Sequence, residues 1–400
     1  MTAMEPVRRE PPFSRRLLDP RAVDVISRLQ QAGFETYFVG GCVRDLLLEQ
    51  RPKDFDIATS AHPEQVRDLF RRSRVIGRRF QLVHVYSGRG VYEVSTFRRD
   101  PEEAQDTVQI IRRDNTFGSA REDALRRDFT VNALFLDPVA GALVDWVGGL
   151  EDLGQRRLRS IGDPERRFRE DPVRILRLVK FLRRLRLEPG PAEVAAAYRY
   201  APHLVHAAPP RVAEELFRLL ATGDAEGVLE DLLALRALSL VVPDLGPWLT
   251  ARAERVPRLR ARLAGLDNLF RDGSEPSYAL RLAFLYGARL EEELGQGPRA
   301  RYSSDPLHLA SLLLRPLQQR ARLPRLVVLR AAEILAIQQR LNGGPEARRR
   351  QGFDPAALIE RESFPEALEY LRCRLEATGD ELSTYDQWHE LALSLEPRRR

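Results

Sequence analysis

The chain has 400 residues, 43% hydrophobic and 30% charged, enough for two or more packed units and without the run of about 18 apolar residues that a membrane span needs. Its 64 basic and 58 acidic residues leave a net charge of +6, which permits a nucleic-acid partner without requiring one. Only Lys53 and Lys180 among the basic residues are lysine, so the charge is carried almost wholly by guanidinium forks suited to phosphate and base edges.

The first 20 residues are basic, contain proline and lack the apolar stretch of a secretory signal, so they read as a frayed arm on a cytoplasmic protein. AVDVISRLQQAG then has the spacing of an amphipathic helix closed by Gly33. From Phe34 to Trp146 short β-rich runs alternate with helical ones: TYFVGG, FDIAT, VIGRRFQLVHVYS, VYEVSTF, TVNALFLD and ALVDWVG. One sheet flanked by helices is expected there. Between two of these runs, RRDPEEAQDTVQIIRRDNTFGS is highly charged and reads as a long loop or flap. Beyond Gly154 strand signals nearly vanish, and PVRILRLVKFLRRL and RVAEELFRLLATG show helical spacing. The expected class is α+β, with an arm at 1–20, a head at 21–160, a helical neck at 161–225 and a helical body at 226–400. The arginine runs at 348–350 and 398–400 read as solvated charge. Cys42 and Cys373 supply neither a disulfide framework nor a four-ligand zinc site, and the six histidines show no metal-ligand spacing. His84 reads as a hydrogen-bonded interior histidine, and Phe129 and Phe135 as core.

Three groups of residues carry chemistry. Gly40-Gly41 ends a strand and opens the helix CVRDLLL, a turn where backbone N–H groups can face an anionic phosphate. Arg44 could reach a triphosphate from that helix, and Asp45 suits its dipole. Asp54-Phe55-Asp56 places two carboxylates on one face of a strand with Phe55 toward the core, an arrangement suited to oxygen-ligated Mg²⁺ or Mn²⁺. Glu93, in VYEVSTF on a neighbouring strand, is a third candidate carboxylate, with an ordinary strand charge as the alternative. Asp171 caps the helix that Pro172 begins and lies three residues before Arg174. A carboxylate accepting from an exocyclic amine and a guanidinium donating to the adjacent ring nitrogen would read adenine N6/N1 or cytosine N4/N3, and would reject guanine and uracil.

GGCVRD, KDFDIAT, RRDFTVNALF at 126–135, REDPVRILR at 169–177 and RVAEELFR at 211–218 together resemble the class II branch of the polymerase β nucleotidyltransferase superfamily, which holds CCA-adding enzymes and bacterial poly(A) polymerases. VIGRRFQLVHV and RRDNTFGSAREDALRRDF resemble the poly(A) polymerase version, and LPR, IQQRL and WHE extend the likeness from about residue 20 to 395. The resemblance implies a polymerase β-like head with a small mixed sheet, followed by helical domains. It implies catalytic Asp54, Asp56 and Asp128, with metal on the first two. It further implies nucleotide contacts from Gly40, Gly41, Arg44, Asp45, Arg126, Arg127, Asn132, Asp171, Arg174, Arg177, Arg211, Glu215 and Arg218, with ATP as substrate and RNA 3′ ends as acceptor. Asp128 would hold ribose hydroxyls or support the metal, and Arg126 and Arg127 would neutralise triphosphate charge. The expected function is template-independent addition of AMP to RNA 3′ ends, with RNA-decay or RNA-chaperone proteins as expected associates. Two other readings stay open: CCA or A addition to tRNA, and a catalytically inactive RNA-binding adaptor.

Overall fold

A computed structural model describes residues 5–77, 81–99, 116–295 and 305–395. The chain divides into two compact units, 1–167 with 187–195, and 168–186 with 196–400. In chain order the first unit holds β1 (Val7–Arg9), α1 (Pro20–Gln31), β2 (Thr36–Val39), α2 (Gly41–Leu47), β3 (Ile57–Thr59), α3 (Pro63–Leu69), β4 (Ser73–Ile76), β5 (Leu82–Ser87), β6 (Gly90–Thr96), α4 (Ala120–Leu125), β7 (Leu134–Asp137), β8 (Ala142–Asp145), α5 (Gly149–Gly154) and β9 (Arg157–Leu158). α6 (Pro164–Glu170) and α7 (Val173–Leu185) follow, then β10 (Glu188–Pro189), which pairs in parallel with β9.

Eight strands form one mixed sheet in the order β1-β8-β7-β2-β3-β6-β5-β4. β3 and β6 run parallel, and the other adjacent pairs run antiparallel. Tyr37, Phe97 and Phe135 fill its core with Trp146 against them, the Phe135 ring standing edge-on to Tyr37 at 5.7 Å and to Trp146 at 5.0 Å. Phe129 is fully buried as well. α1 starts where Asp19 accepts from the Arg21 N–H and Pro20 occupies the first turn. It buries Ala22, Val25, Ile26 and Leu29, and Gly33 follows it with φ +88°.

Several expectations need correction. The supposed arm is tied down: Val7–Arg9 pairs with β8 in the register Val7↔Asp145, because backbone alone suffices to extend a sheet edge even where the side chains are exposed. VIGRRFQLVHVYS is two strands, β4 and β5, paired antiparallel, and Arg78–Phe80 between them lie outside the described residues. Most of the supposed flap, 100–115, and the arginine run at 398–400 also lie outside them. The head does not stop at 160: the Ser160 N–H donates to Glu193 at 3.0 Å, and the β9–β10 pair carries 187–195 back into the first unit.

The second unit is helical. It contains α7, the part of α8 (Pro191–Tyr200) from Ala196 onward, α9 (Pro209–Leu219), α10 (Ala225–Ala234), α11 (Leu238–Val241), α12 (Leu245–Thr250), α13 (Arg255–Arg271), α14 (Tyr278–Gly295), α15 (Pro306–Ala321), α16 (Arg325–Leu341), α17 (Gly344–Arg350), α18 (Pro355–Ile359), α19 (Phe364–Thr378) and α20 (Ser383–Leu395). Leu263, Leu266, Phe284, Ile334, Leu335, Tyr370 and Leu371 are all buried on α13, α14, α16 and α19, which pack on one another. No helix among the described residues is long and apolar enough to cross a membrane. Both cysteines are buried free thiols.

Candidate active site

β2 ends at Val39 and the chain turns at Gly40, whose φ of 72° and ψ of −128° favour a residue without Cβ. A methyl there would lie 3.0 Å from Arg127 Nη1. α2 then begins at Gly41. Arg44 lies on this helix. It is buried, with Nε and Nη2 on Asp45 Oδ1 at 2.9 and 2.6 Å and Nη1 on Asn132 Oδ1 at 2.5 Å, because an enclosed guanidinium requires partners. Asn132 passes the order on: its Nδ2 donates to Asp128 Oδ1 at 3.1 Å, and the Phe129 N–H donates to the same oxygen at 2.8 Å. Arg44 and Asp45 therefore hold Asp128 in place from the glycine turn.

The paired acids precede β3 instead of lying within it. The ladder still reaches Asp56, whose carbonyl accepts from the Val39 N–H at 3.0 Å. Phe55 turns inward, its ring 5.2 Å from Phe38, while Asp54 and Asp56 are exposed, so the expected alternation holds. Ile57 pairs with Val94 in parallel, which sets Glu93 at the level of Asp56 on the next strand. Crowding by the head desolvates the Asp56 carboxyl and pushes it up to about 6, with the charges of Glu93 and Asp54 acting in the same sense and Arg127 against them. Glu93 also sits 3.4 Å from His84 Nε2, so His84 is a half-buried partner of a site carboxylate, more than an interior packing residue.

Arg126 and Arg127 are aligned by a residue to which the sequence reading gave no role. Asp123, 2% exposed, accepts from Arg126 Nε at 3.0 Å through Oδ1 and from Arg127 Nε and Nη2 at 3.1 and 2.9 Å through Oδ2. Burial alone would raise this carboxyl, but Arg127 and Arg126 outweigh it and hold it below the usual range. The i, i+3 and i, i+4 spacing was visible in REDALRRD and could have revealed it. Arg167 on α6 was missed too, and no local pattern marks it: its Nη2 donates to the carbonyls of Arg126 and Arg127 at 2.5 and 2.6 Å.

Among the described residues no group of three or more His, Cys, Asp or Glu converges tightly enough to ligate a metal alone. Asp54 and Asp56 still suit Mg²⁺ or Mn²⁺, which take one or two carboxylates and complete their shell with water and substrate phosphate. The upward push on Asp56 by its acidic neighbours is the repulsion a cation would relieve.

A second cluster lies within the helical unit. Asp171 Oδ1 accepts from the Val173 N–H at 3.3 Å, one residue before the cap, which falls on Pro172 instead of Asp171. It does not pair with Arg174. Arg211 on α9 reaches it with both terminal nitrogens, at 3.1 and 2.7 Å, and Arg174 instead lies 3.6 Å from Glu170, one turn earlier. Glu215 on α9 is buried and gathers cations: Lys180 at 2.8 Å on Oε2, Arg218 at 2.8 Å and Arg177 at 3.7 Å on Oε1.

Comparison with known proteins shows what the chain is similar to. Residues 36–159 match a family model described as the poly A polymerase head domain, 191–249 one described as a probable RNA and SrmB-binding site of polymerase A, and 309–400 one described as the polymerase A arginine-rich C-terminus. The chain is 35% identical to Poly(A) polymerase I of Salmonella typhimurium over 94% of its own length and 83% of the relative's. It is 36% identical to the CCA-adding enzyme of Geobacillus stearothermophilus over 62% of each. Among solved structures, that of the Bacillus stearothermophilus CCA-adding enzyme in complex with CTP superposes with a TM-score of 0.69 at 30% identity, covering 94% of this chain and 82% of the other.

Proposed function

The chain belongs to the bacterial poly(A) polymerase branch of the tRNA nucleotidyltransferase and poly(A) polymerase family, and on that premise we propose that it adds AMP from ATP to RNA 3′ ends and releases pyrophosphate. Nucleotide transfer to RNA 3′ ends is the activity of the family. The finer reading, AMP addition, is supported by the likeness to Poly(A) polymerase I, and the transfer chemistry by one observation above all. Arg127 lies against the Gly40 turn while its charge acts on Asp56, so a phosphate-receiving turn, a cation and exposed paired acids meet at one place in the head.

In this reading the Gly41 end of α2 and the Arg126-Arg127 pair take the triphosphate, whose charge they neutralise, while the Gly40 N–H stays on the Leu134 carbonyl at 3.2 Å. Asp54 and Asp56, with Glu93 beside them, hold Mg²⁺ or Mn²⁺, which when bound would offset charge at the α-phosphate and ease loss of the acceptor hydroxyl proton. Asp128, held by Asn132, is assigned to the ribose hydroxyls. Asp171 and Arg174 are assigned to the base edge, with Arg211 holding the Asp171 carboxylate and Glu215 ordering Arg177 and Arg218.

The same base-reading pair accepts ATP or CTP, which keeps CCA or A addition as a second reading, and the structural likeness to a CCA-adding enzyme favours considering it. Incubation with ATP or CTP and either an unstructured RNA or a tRNA lacking its CCA end separates the two. Long homopolymer A on both RNAs is the expected result; a stop after one to three residues on tRNA alone would overturn it. An RNA-binding adaptor has no use for paired exposed acids, and Asp54→Ala should keep RNA affinity while abolishing incorporation.

A further inference from the structure

Nearly every cation in this chain is arginine, and the two exceptions occupy different settings. Lys53 is exposed beside Asp54, whereas Lys180 is 6% exposed within α7. The Lys180 ammonium donates to Glu215 Oε2 and stands 4.7 Å from the centre of the Phe181 ring. The Glu215 oxygen Oε1 serves Arg218 and Arg177. One buried carboxylate on α9 is thus divided between a compact ammonium on one oxygen and two guanidinium groups on the other. A planar fork with five donors would not fit the single-oxygen role as an ammonium does. The charged groups facing Lys180 are Arg177 on its own helix and Glu215 and Arg218 on α9. α10, which also packs on α7, directs Asp231 and its capping Asp224 to Arg183 instead, at 2.6 and 3.3 Å.

Burial, aided by Arg177 and Arg218, outweighs the pull of Glu215 and pushes the Lys180 ammonium down to about 8. Glu215 moves below the usual carboxylate range: burial opposes this, but Lys180 and the two arginines prevail. Near neutral pH the pair is therefore charged on both sides, and alkaline conditions remove the proton from the lysine first.

We infer that Lys180 is a positioning residue for nucleotide binding: its ammonium occupies one oxygen of Glu215 and so keeps Arg177 turned to the nucleotide, and loss of that ammonium lets Glu215 draw Arg177 in. This rests on the assignment of α7 and α9 to nucleotide selection. The consequence is a KM for ATP that rises on the alkaline side while kcat holds, because an interaction made equally in ground and transition states changes KM alone.

The test compares the full chain with Lys180→Arg, Lys180→Met and Asp171→Ala, measuring KM and kcat for ATP at about pH 7 and about pH 9, nucleotide preference, and the melting temperature at each pH. The KM of the unsubstituted protein should rise about tenfold from the lower pH to the higher, a size in keeping with removal of one member of a buried cluster that keeps two other cations. Lys180→Arg should show a flat KM, since a guanidinium keeps its proton. Lys180→Met should show at about pH 7 the KM that the unsubstituted protein has at about pH 9, with no further change. A folded Lys180→Arg with the full alkaline rise, or a folded Lys180→Met with ordinary KM at neutral pH, overturns the inference. Should the arginine variant not fold, the methionine variant at the two pH values still decides. If Asp171→Ala leaves the preference for ATP over GTP unchanged, the base-reading assignment falls and the inference with it; if that preference is lost while the lysine variants behave as the parent, only the role of Lys180 falls.

Discussion

Replacing the two glycines of the phosphate turn one at a time should have opposite effects on stability. At Gly40 the backbone lies at φ 72° and ψ −128°, and a non-glycine residue in such a region costs about 1–3 kcal/mol. The added methyl would also meet Arg127 Nη1 at 3.0 Å and displace the group that donates to the Asn132 carbonyl at 3.2 Å, a hydrogen bond worth about 1 kcal/mol. Gly40→Ala should therefore destabilise the head by about 2–4 kcal/mol, a fall in melting temperature of roughly 5–10 °C for a unit of this size. Gly41 carries no such restriction: a methyl there meets Arg44 Nη2 at an ordinary 3.6 Å. As a helical position, Gly41→Ala should be neutral or stabilising by up to about 1 kcal/mol. Both variants should nevertheless raise the KM for ATP severalfold, since each puts a methyl where phosphate approaches the turn. Differential scanning fluorimetry and initial-rate incorporation read the two effects separately. Equal loss of stability in both variants, or an unchanged KM in Gly41→Ala, would refute the assignment of this turn to phosphate.

Asp123→Asn should weaken both arginine contacts and cost about 2–4 kcal/mol, because Asp123 is buried and its charge is fully paired. Its folded pKa is depressed, so its contribution is complete above its ordinary unfolded value and is lost as pH falls through the lower folded one; the variant should flatten that part of an acid-unfolding curve. Glu93→Gln should lower the pKa of Asp56 from about 6 in the metal-free protein, read by NMR titration of its carboxyl; an unshifted titration would show that Glu93 does not act on Asp56. Asp56→Ala should leave no measurable incorporation at any Mg²⁺ concentration while melting within a few degrees of the parent protein, since the residue is exposed. Retained activity there would remove the metal assignment.

The parts of the site that depend on short-range rules were legible in the sequence. The glycine turn, the outward acids around an inward Phe55 and the Asp171 contact to the start of α7 follow from φ preference, strand alternation and helix-start chemistry, each settled within four residues. What the sequence did not show depends on distant partners. The enclosure of Arg44 was invisible because nothing local shows that Asn132, 88 positions later, accepts from it. Asp171 and Arg174 satisfy helical spacing, yet Arg211, 40 positions later, wins the carboxylate because it approaches with both terminal nitrogens at once. Arg167 carries no pattern of its own, since its acceptors are backbone carbonyls, which any sequence supplies. The edge strand at Val7–Arg9 was illegible for the same reason: its pairing uses main chain, and its side chains are exposed.

The return of 187–195 to the first unit restricts where this protein can be cut. A fragment stopping at 160 would strip β9 of β10 and leave the Ser160 amide, enclosed in the intact chain, without the carboxylate that receives it. Such an orphaned donor costs about 1–3 kcal/mol when it stays shielded from water. Anyone seeking the catalytic portion by itself must either keep α7 attached although it belongs to the other unit, or splice a short connector from 167 to 187 in its place.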